Sequence, residues 1–292
     1  MDEELQKELQ AIADDKDVLL LSFVAPDRAI RISPIGVAET RIDVADLYAI
    51  EKTIEDLQEV QSLPKTLHLI IHTLGGVVYV STKIANYLRN TFDEIHAFVP
   101  YEAASGGTVL CLAANRITMG AMANLTPIDP QTKYQSQWVS TTSYQFAIIE
   151  LEARFEKMLP LEIPPPWQQL CEKLDPVILK EMNNSWRDTF EVAFSLLKRS
   201  YKPETDEQME TVRRTARSLA FSTRPHDHII DSTEAKHEFS LNIDNSDENM
   251  KTLRVYKKWV KSMLEKEQST HVIEHIIPTK AKAKRSATNE SK

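Results

Sequence analysis

The stretch that decides the fold is Leu67–Asn90, LHLIIHTLGGVVYVSTKIANYLRN: an apolar run of strand length, two adjacent glycines, then a helical pattern. Leu67–His72 is too short and too uniformly apolar for an amphipathic helix and reads as a strand. Gly75-Gly76 supplies a turn, and Val80–Asn90 reads as the helix that leaves it.

Working outward, the same alternation recurs. Val18–Phe23 reads as a strand and Val44–Gln61 as a helix, with Leu47, Ile50, Ile54 and Leu57 at three- and four-residue intervals. Ile95–Pro100 reads as a third strand running into Gly106-Gly107, followed by a helix over Val109–Asn115 and a short strand, Arg116–Met119. Strand, turn and helix repeated in this way imply parallel pairing through crossovers, an α/β core.

After Ala121 the character changes. Ser136–Leu159 and Gln168–Ser200 show helical periodicity on either side of Ile163-Pro164-Pro165-Pro166, and Asp206–Phe221 reads as a further helix. Asp231-Ser232-Thr233-Glu234 has the form of a helix start with a reciprocal glutamate at the third position, and Leu253–Glu267 reads as the last helix. The expected organisation is an α/β core over 1–131, a helical region over 132–243 completing the domain, a C-terminal helix within 244–278 and a disordered basic tail over 279–292.

Composition limits the function classes. With 292 residues, 42% of them hydrophobic, the chain can bury one large core. No apolar run approaches the ~18 residues of a membrane span, and the opening MDEELQKELQ is acidic and helical, unlike a signal or transit peptide. A cytoplasmic protein without a membrane anchor is therefore expected. Cys111 and Cys171 sit on apolar-periodic stretches with no CxxC and no histidine at ligand spacing, which argues for reduced, buried thiols and against a metal. The net charge is −8 although 279–292 carries five basic residues and one acid, so the body would repel nucleic acid. The phosphate-binding patterns GxxxxGK[ST] and GxGxxG are absent, and no cofactor is expected.

The six glycines carry the functional signal. Average usage near 7% would give about twenty; here all six lie at or before Gly120, as Gly36, Gly75, Gly76, Gly106, Gly107 and Gly120. Both pairs stand between a strand and a helix. In His72-Thr73-Leu74-Gly75-Gly76 the unshielded N–H groups can be offered to an anion or a polarised carbonyl oxygen. In Ala103-Ala104-Ser105-Gly106-Gly107-Thr108 they place Ser105 at a helix N-terminus, where orphan N–H groups and the macrodipole favour developing negative charge. A serine flanked by small residues and facing a second donor loop is the arrangement acyl transfer needs, a nucleophile beside an oxyanion hole.

These motifs carry a resemblance. Ile71–Gly76, Val99–Thr108, Ala113-Ala114-Asn115-Arg116-Ile117 and Thr126-Pro127-Ile128-Asp129-Pro130-Gln131 resemble, in order, those of the serine dehydrogenase proteinase family, one of the Clp-fold peptidases beside signal peptide peptidase A and the crotonase-like folds. Pro225-His226-Asp227-His228-Ile229-Ile230, with Glu234-Ala235-Lys236 after it, is similar to a late motif of that family. The resemblance covers about residues 65–131 and 222–243, while the helical stretch between Gln131 and Phe221 matches poorly.

The resemblance implies a Clp protease/crotonase-like core and a serine peptidase with Ser105 as nucleophile and the backbone of Gly75, Gly76 and Gly106 lining the oxyanion site. Clp proteases proper use a histidine about two dozen residues after the serine; this chain has none between Ser105 and His226. Signal peptide peptidases use a lysine some fifty residues after it, and Lys157 stands 52 after Ser105. Lys133 and Lys180 compete for the role, for a lysine acts as base only where burial lowers its pKa. His72 is expected to pack under the oxyanion loop, and His226 and His228 to stabilise a turn, although folding can bring either near Ser105. Leu74 stands where the resemblance implies a proline. Relatives form rings or stacked trimers, so a homo-oligomer acting on peptides is expected. The rival reading is a catalytically silent peptide-binding or scaffold protein. Acyl-CoA chemistry fits less well, because Ser105 would then have no task.

Overall fold

Helix α1 (Glu3–Lys16), capped by the Asp2 carboxylate, leads directly into β1 (Val18–Val24), whose seven residues are all buried. The computed structural model describes residues 1–25, 30–33, 36–38, 40–134, 137–156, 169, 172, 176–222, 224–264 and 271–279. Strands β2 (Ile30–Ser33) and β3 (Gly36–Ala38) pair antiparallel. Asp43 and Asp46 form a capping box at the start of α2 (Val44–Val60), in which each carboxylate accepts a backbone N–H at the other's end of the first turn. Next come β4 (Thr66–His72), α3 (Val78–Thr91), β5 (Glu94–Val99), the two-residue β6 (Glu102–Ala103), α4 (Gly106–Leu112), β7 (Arg116–Met119) and β8 (Asn124–Leu125), which pairs with β6. The expected alternation is present, with α4 beginning three residues early because both glycines of the second pair lie in its first turn.

The following segment departs from the expected helix over Ser136–Leu159. Strands β9 (Gln131–Tyr134) and β10 (Gln137–Ser140) form a hairpin, and α5 starts only at Thr141 and runs to Phe155. The reason is local: Ser140 takes the N-cap position, its hydroxyl accepting the N–H of Thr142, and the residue before it, Val139, is β-branched. Lys157 and the Ile163–Pro166 stop lie outside the described residues. Helices α6 (Pro176–Tyr201) and α7 (Asp206–Ala220) follow, then α8 (Ser232–His237), where Asp231 caps the N–H groups of Thr233 and Glu234. The expected reciprocal bond from Glu234 is replaced by ion pairing, described below. Helix α9 (Asp247–Leu264) starts six residues before the expected Leu253, and β11 (His275–Ile276) closes the described chain.

The central sheet has the order β11-β1-β4-β5-β7, parallel except for β11, which joins the β1 edge antiparallel. Side chains alternate across it. Leu19, Leu21, Phe23, Leu67, Leu69, Ile71, Ile95, Ala97 and Val99 face one core with α2, α3 and α4, into which α6 and α7 send Ala193, Leu196, Leu197, Val212 and Leu219. Leu20, Val24, Ile70 and Phe98 face the other, closed by Leu5 and Leu9 of α1 and by Tyr256, Trp259 and Met263 of α9. Both faces being covered, the strands are near-continuous apolar runs. Cys111 is a free, buried thiol whose pKa burial pushes up, consistent with an inert core role; Cys171 lies outside the described residues. Among the described residues no helix is long and apolar enough to cross a membrane and no cluster of metal-ligating side chains occurs.

Candidate active site at the two glycine pairs

Because β4 and β5 are adjacent and parallel, the loops leaving their C-terminal ends emerge side by side. The loops are then zipped together by backbone: Thr73 N–H donates to Glu102 O (3.0 Å) and Ala104 N–H to Thr73 O (3.0 Å). The approach is close enough to demand glycine. A Cβ at Gly75, whose φ is +90°, would stand 2.5 Å from Ala104 O and 2.9 Å from Gly106 N. One at Gly106 would stand 2.4 Å from Ser81 Oγ and 3.2 Å from Gly76 N.

Ser105 sits at the junction. Its backbone, with φ 48° and ψ −108°, lies outside the regions L-residues ordinarily occupy, and it is half-buried. It occupies the N-cap position of α4 but makes no side-chain capping bond, so the hydroxyl is not spent on the helix. The backbone is pinned on both sides: Ser105 N–H donates to Thr126 Oγ1 (2.8 Å), and Ser105 O accepts Val109 N–H (3.1 Å). Thr108 Oγ1 lies 2.8 Å from Ala103 O and 2.9 Å from Thr126 O, and it accepts the Thr126 N–H, so the 126–131 motif is clamped onto the loop that carries the serine. Such pinning is what keeps a strained conformation populated.

Of the three glycines expected to line an oxyanion site, Gly75 has its N–H engaged by Thr73 Oγ1 (3.1 Å), so it contributes closeness rather than a donor. The N–H groups of Gly76 and Gly106 have no acceptor among the described residues.

Lys157 lies outside the described residues, Lys133 belongs to β9 with a side chain that is likewise outside them, and Lys180 is exposed on α6. His72 sets its ring edge-on against Tyr101, centroids 5.7 Å apart. His228 Nε2 lies 2.9 Å from Glu234 Oε1, within an ion cluster formed by Arg224, Glu234 and Glu238. His226 is different: its Nδ1 lies 2.9 Å from Oδ1 of Asp129, a carboxylate 1% exposed whose other oxygen accepts the Ser140 hydroxyl. Leu125 and Ile230 exchange both backbone bonds, which aligns 126–129 antiparallel with 226–229 and accounts for the pair. Sequence reasoning placed Asp129 in a motif without finding its partner. The one available signal was an acid held between two prolines, in a segment too apolar to solvate it.

Residues 30–144 match the sequence profile of the ClpP-like SDH-type serine proteinases. Two uncharacterised proteins of Methanocaldococcus jannaschii are 42% and 35% identical to this chain over 92 residues, which is 31% of this chain and 32% of each relative. The matched segment thus spans about a third of the length of these curated relatives. Among solved structures, two variant forms of a membrane-bound stomatin-specific protease, the second in complex with a substrate peptide, align over 73% and 72% of this chain. They are covered over 80% and 76% of their own length, with TM-scores of 0.44 and 0.43 and 12% identity.

Proposed function

We propose, from the match of residues 30–144 to the ClpP-like SDH-type serine proteinases, that the protein is a serine peptidase acting through Ser105. The observation that carries the reading is the serine itself: a strained backbone, a hydroxyl withheld from helix capping, and direct packing against the Gly75 loop. Its Oγ attacks the carbonyl carbon of a peptide bond. The carbonyl oxygen, gaining negative charge, is received by the N–H groups of Gly76 and Gly106 and by the positive end of α4. The tetrahedral intermediate collapses as the C–N bond breaks, the amine leaving with the proton that the base took from Ser105, and the acyl-enzyme then reacts with water, which releases the carboxylate and returns the proton to the serine oxygen.

A base must take the serine proton. The spacing that the resemblance implies supports Lys157, 52 residues after Ser105, with Lys133 and Lys180 as competitors. A second reading rests on the buried Asp129: a carboxylate bonded to His226 Nδ1 fixes that imidazole with its Nε2 free to accept a proton. A cytoplasmic homo-oligomer working on peptides completes the reading, by analogy with relatives.

Incubation with a fluorophosphonate tests it. Covalent modification of Ser105 that disappears in Ser105→Ala supports the peptidase, whereas a folded protein that takes no label is the silent peptide-binding member. Labelling of Lys157→Ala and His226→Ala then separates the bases, since only the variant lacking the true base loses its rate.

A further inference from the structure

Beneath the Gly75–Gly76 loop lies a buried line of polar groups that peptide attack does not itself use. Asp46, 1% exposed, holds the capping N–H of Asp43 and, through Oδ2, lies 3.0 Å from Nδ1 of His271. His271 Nε2 lies 2.7 Å from Thr73 Oγ1, and Thr73 Oγ1 accepts the Gly75 N–H at 3.1 Å. The hydrogens follow from the end of the chain. A carboxylate only accepts, so Nδ1 carries a proton; in the neutral imidazole Nε2 is then an acceptor for the Thr73 O–H, and the threonine oxygen keeps a lone pair for Gly75. Every donor is used once, in one direction. Thr73 is fully buried, so its resemblance to a nucleophile held by a histidine and an acid is not an accessible site.

Resting on the peptidase reading, we infer that Asp46, His271 and Thr73 are positioning residues that aim the oxyanion-binding N–H of Gly76. The Gly75 N–H is tied down by Thr73, and the Gly75 carbonyl accepts the N–H of Ile42 at 2.9 Å. In a trans peptide the C=O and the following N–H point to opposite sides, so holding the Gly75 carbonyl toward Ile42 turns the Gly76 N–H toward the N-terminus of α4 and Ser105. Thr73 reaches the second loop as well, for a Cβ at Gly107 would stand 2.6 Å from Thr73 Cγ2. One side chain therefore sets the spacing of both glycine pairs, its methyl against Gly107 and its hydroxyl on Gly75. His271 is supplied from the far end of the chain. Its ring stacks on Phe23 with centroids 4.1 Å apart, and Val272 pairs with Val24 at the edge of β1.

The test separates the methyl from the hydroxyl. Thr73→Val keeps the shape and drops the hydroxyl; Thr73→Ser does the reverse. With the fluorophosphonate, Thr73→Val and His271→Ala are expected to lower the labelling rate at saturating probe about tenfold to a hundredfold, with the half-saturating concentration little changed, as for a misplaced catalytic group. Thr73→Ser is expected to recover most of the rate. Hydrogen–deuterium exchange of residues 73–77 is expected to quicken in His271→Ala. Wild-type rates in folded Thr73→Val, or a Thr73→Ser variant as slow as Thr73→Val, overturn the inference. If the wild-type protein takes no label, the peptidase reading fails, and the relay is judged by exchange alone: an unchanged rate over 73–77 in folded His271→Ala overturns it.

Discussion

A Cβ built on Gly75 would stand 2.8 Å from the Cβ of Ser105, closer than two such carbons approach. Ser105 and the Gly75 loop are thus in van der Waals contact through a residue that can have no side chain. Gly75→Ala must push Ala104 and Ser105 away and also hold an alanine at φ +90°. A loss of labelling of at least about a hundredfold is expected, together with destabilisation of about 1–3 kcal/mol, read from urea unfolding. A Gly75→Ala protein that labels like the parent would separate the two loops functionally.

Strain at Ser105 predicts an opposition between stability and activity. Glycine accepts the 48°, −108° backbone at little cost, although it adds unfolded-state entropy of roughly 0.5–1 kcal/mol. Relief of about 1–3 kcal/mol of strain leaves Ser105→Gly more stable than the parent by about 1 kcal/mol, and inert to the probe. Ser105→Ala keeps the strain and should unfold within about 0.5 kcal/mol of the parent. If the two variants unfold together, the serine backbone holds no strain worth relieving.

What the sequence disclosed and what it hid divide along contact order. The strands at Val18, Leu67, Ile95 and Arg116 were legible because a parallel sheet covered on both faces writes itself as short apolar runs. The meeting of the two glycine loops was legible too, since successive parallel strands end at the same edge. The β9–β10 hairpin was not, because its glycine-free turn lacks the usual punctuation and the stretch after Ser140 is helical in earnest. Nor did any local pattern link His271 to Thr73, 198 positions apart, or His226 to Asp129, 97 apart. Those pairs depend on which edge β11 joins and on the register of Leu125 against Ile230, both properties of the assembled fold.

Asn115, between α4 and β7, has a structural task. Its side-chain oxygen accepts from Arg89 Nη1 (2.6 Å) and Ile95 N–H (2.9 Å), and its amide nitrogen donates to Ser200 O (2.9 Å). It thereby joins α3, β5 and α6 beside the end of α4. Asn115→Ala leaves the buried Arg89 short of an acceptor and two backbone groups unpaired, at an expected cost of about 3 kcal/mol. Thermal or urea unfolding checks this. A loss below about 0.5 kcal/mol would mean that water replaces all three bonds.

Two histidines make acid the weak side of this protein. On the α9 face of the sheet, His68 lies beside Tyr256, its Nδ1 2.7 Å from the phenol oxygen, and His96 Nε2 lies 2.8 Å from Thr118 Oγ1. Because the Thr118 hydroxyl donates to Asp244 O, its oxygen accepts from His96, which fixes the proton on Nε2 and leaves the buried Nδ1 without a partner among the described residues. Burial, reinforced by Lys16 and Arg116, lowers the pKa of His68 to about 3, and burial, reinforced by His68, Arg116 and Lys16, lowers that of His96 to about 2, from 6.5. The unfolded chain therefore binds protons that the folded one refuses. Stability is flat above pH 6.5 with respect to these groups and falls as the pH drops from there toward 3, with a slope approaching about 1.4 kcal/mol per pH unit for each ring. Urea midpoints at pH 7, 6 and 5 measure the slope. In His68→Asn/His96→Gln, where each amide keeps a hydrogen-bonding group near the nitrogen it replaces but cannot titrate, the decline should shrink by the histidine share; an unchanged slope would assign the acid sensitivity to the carboxylates instead.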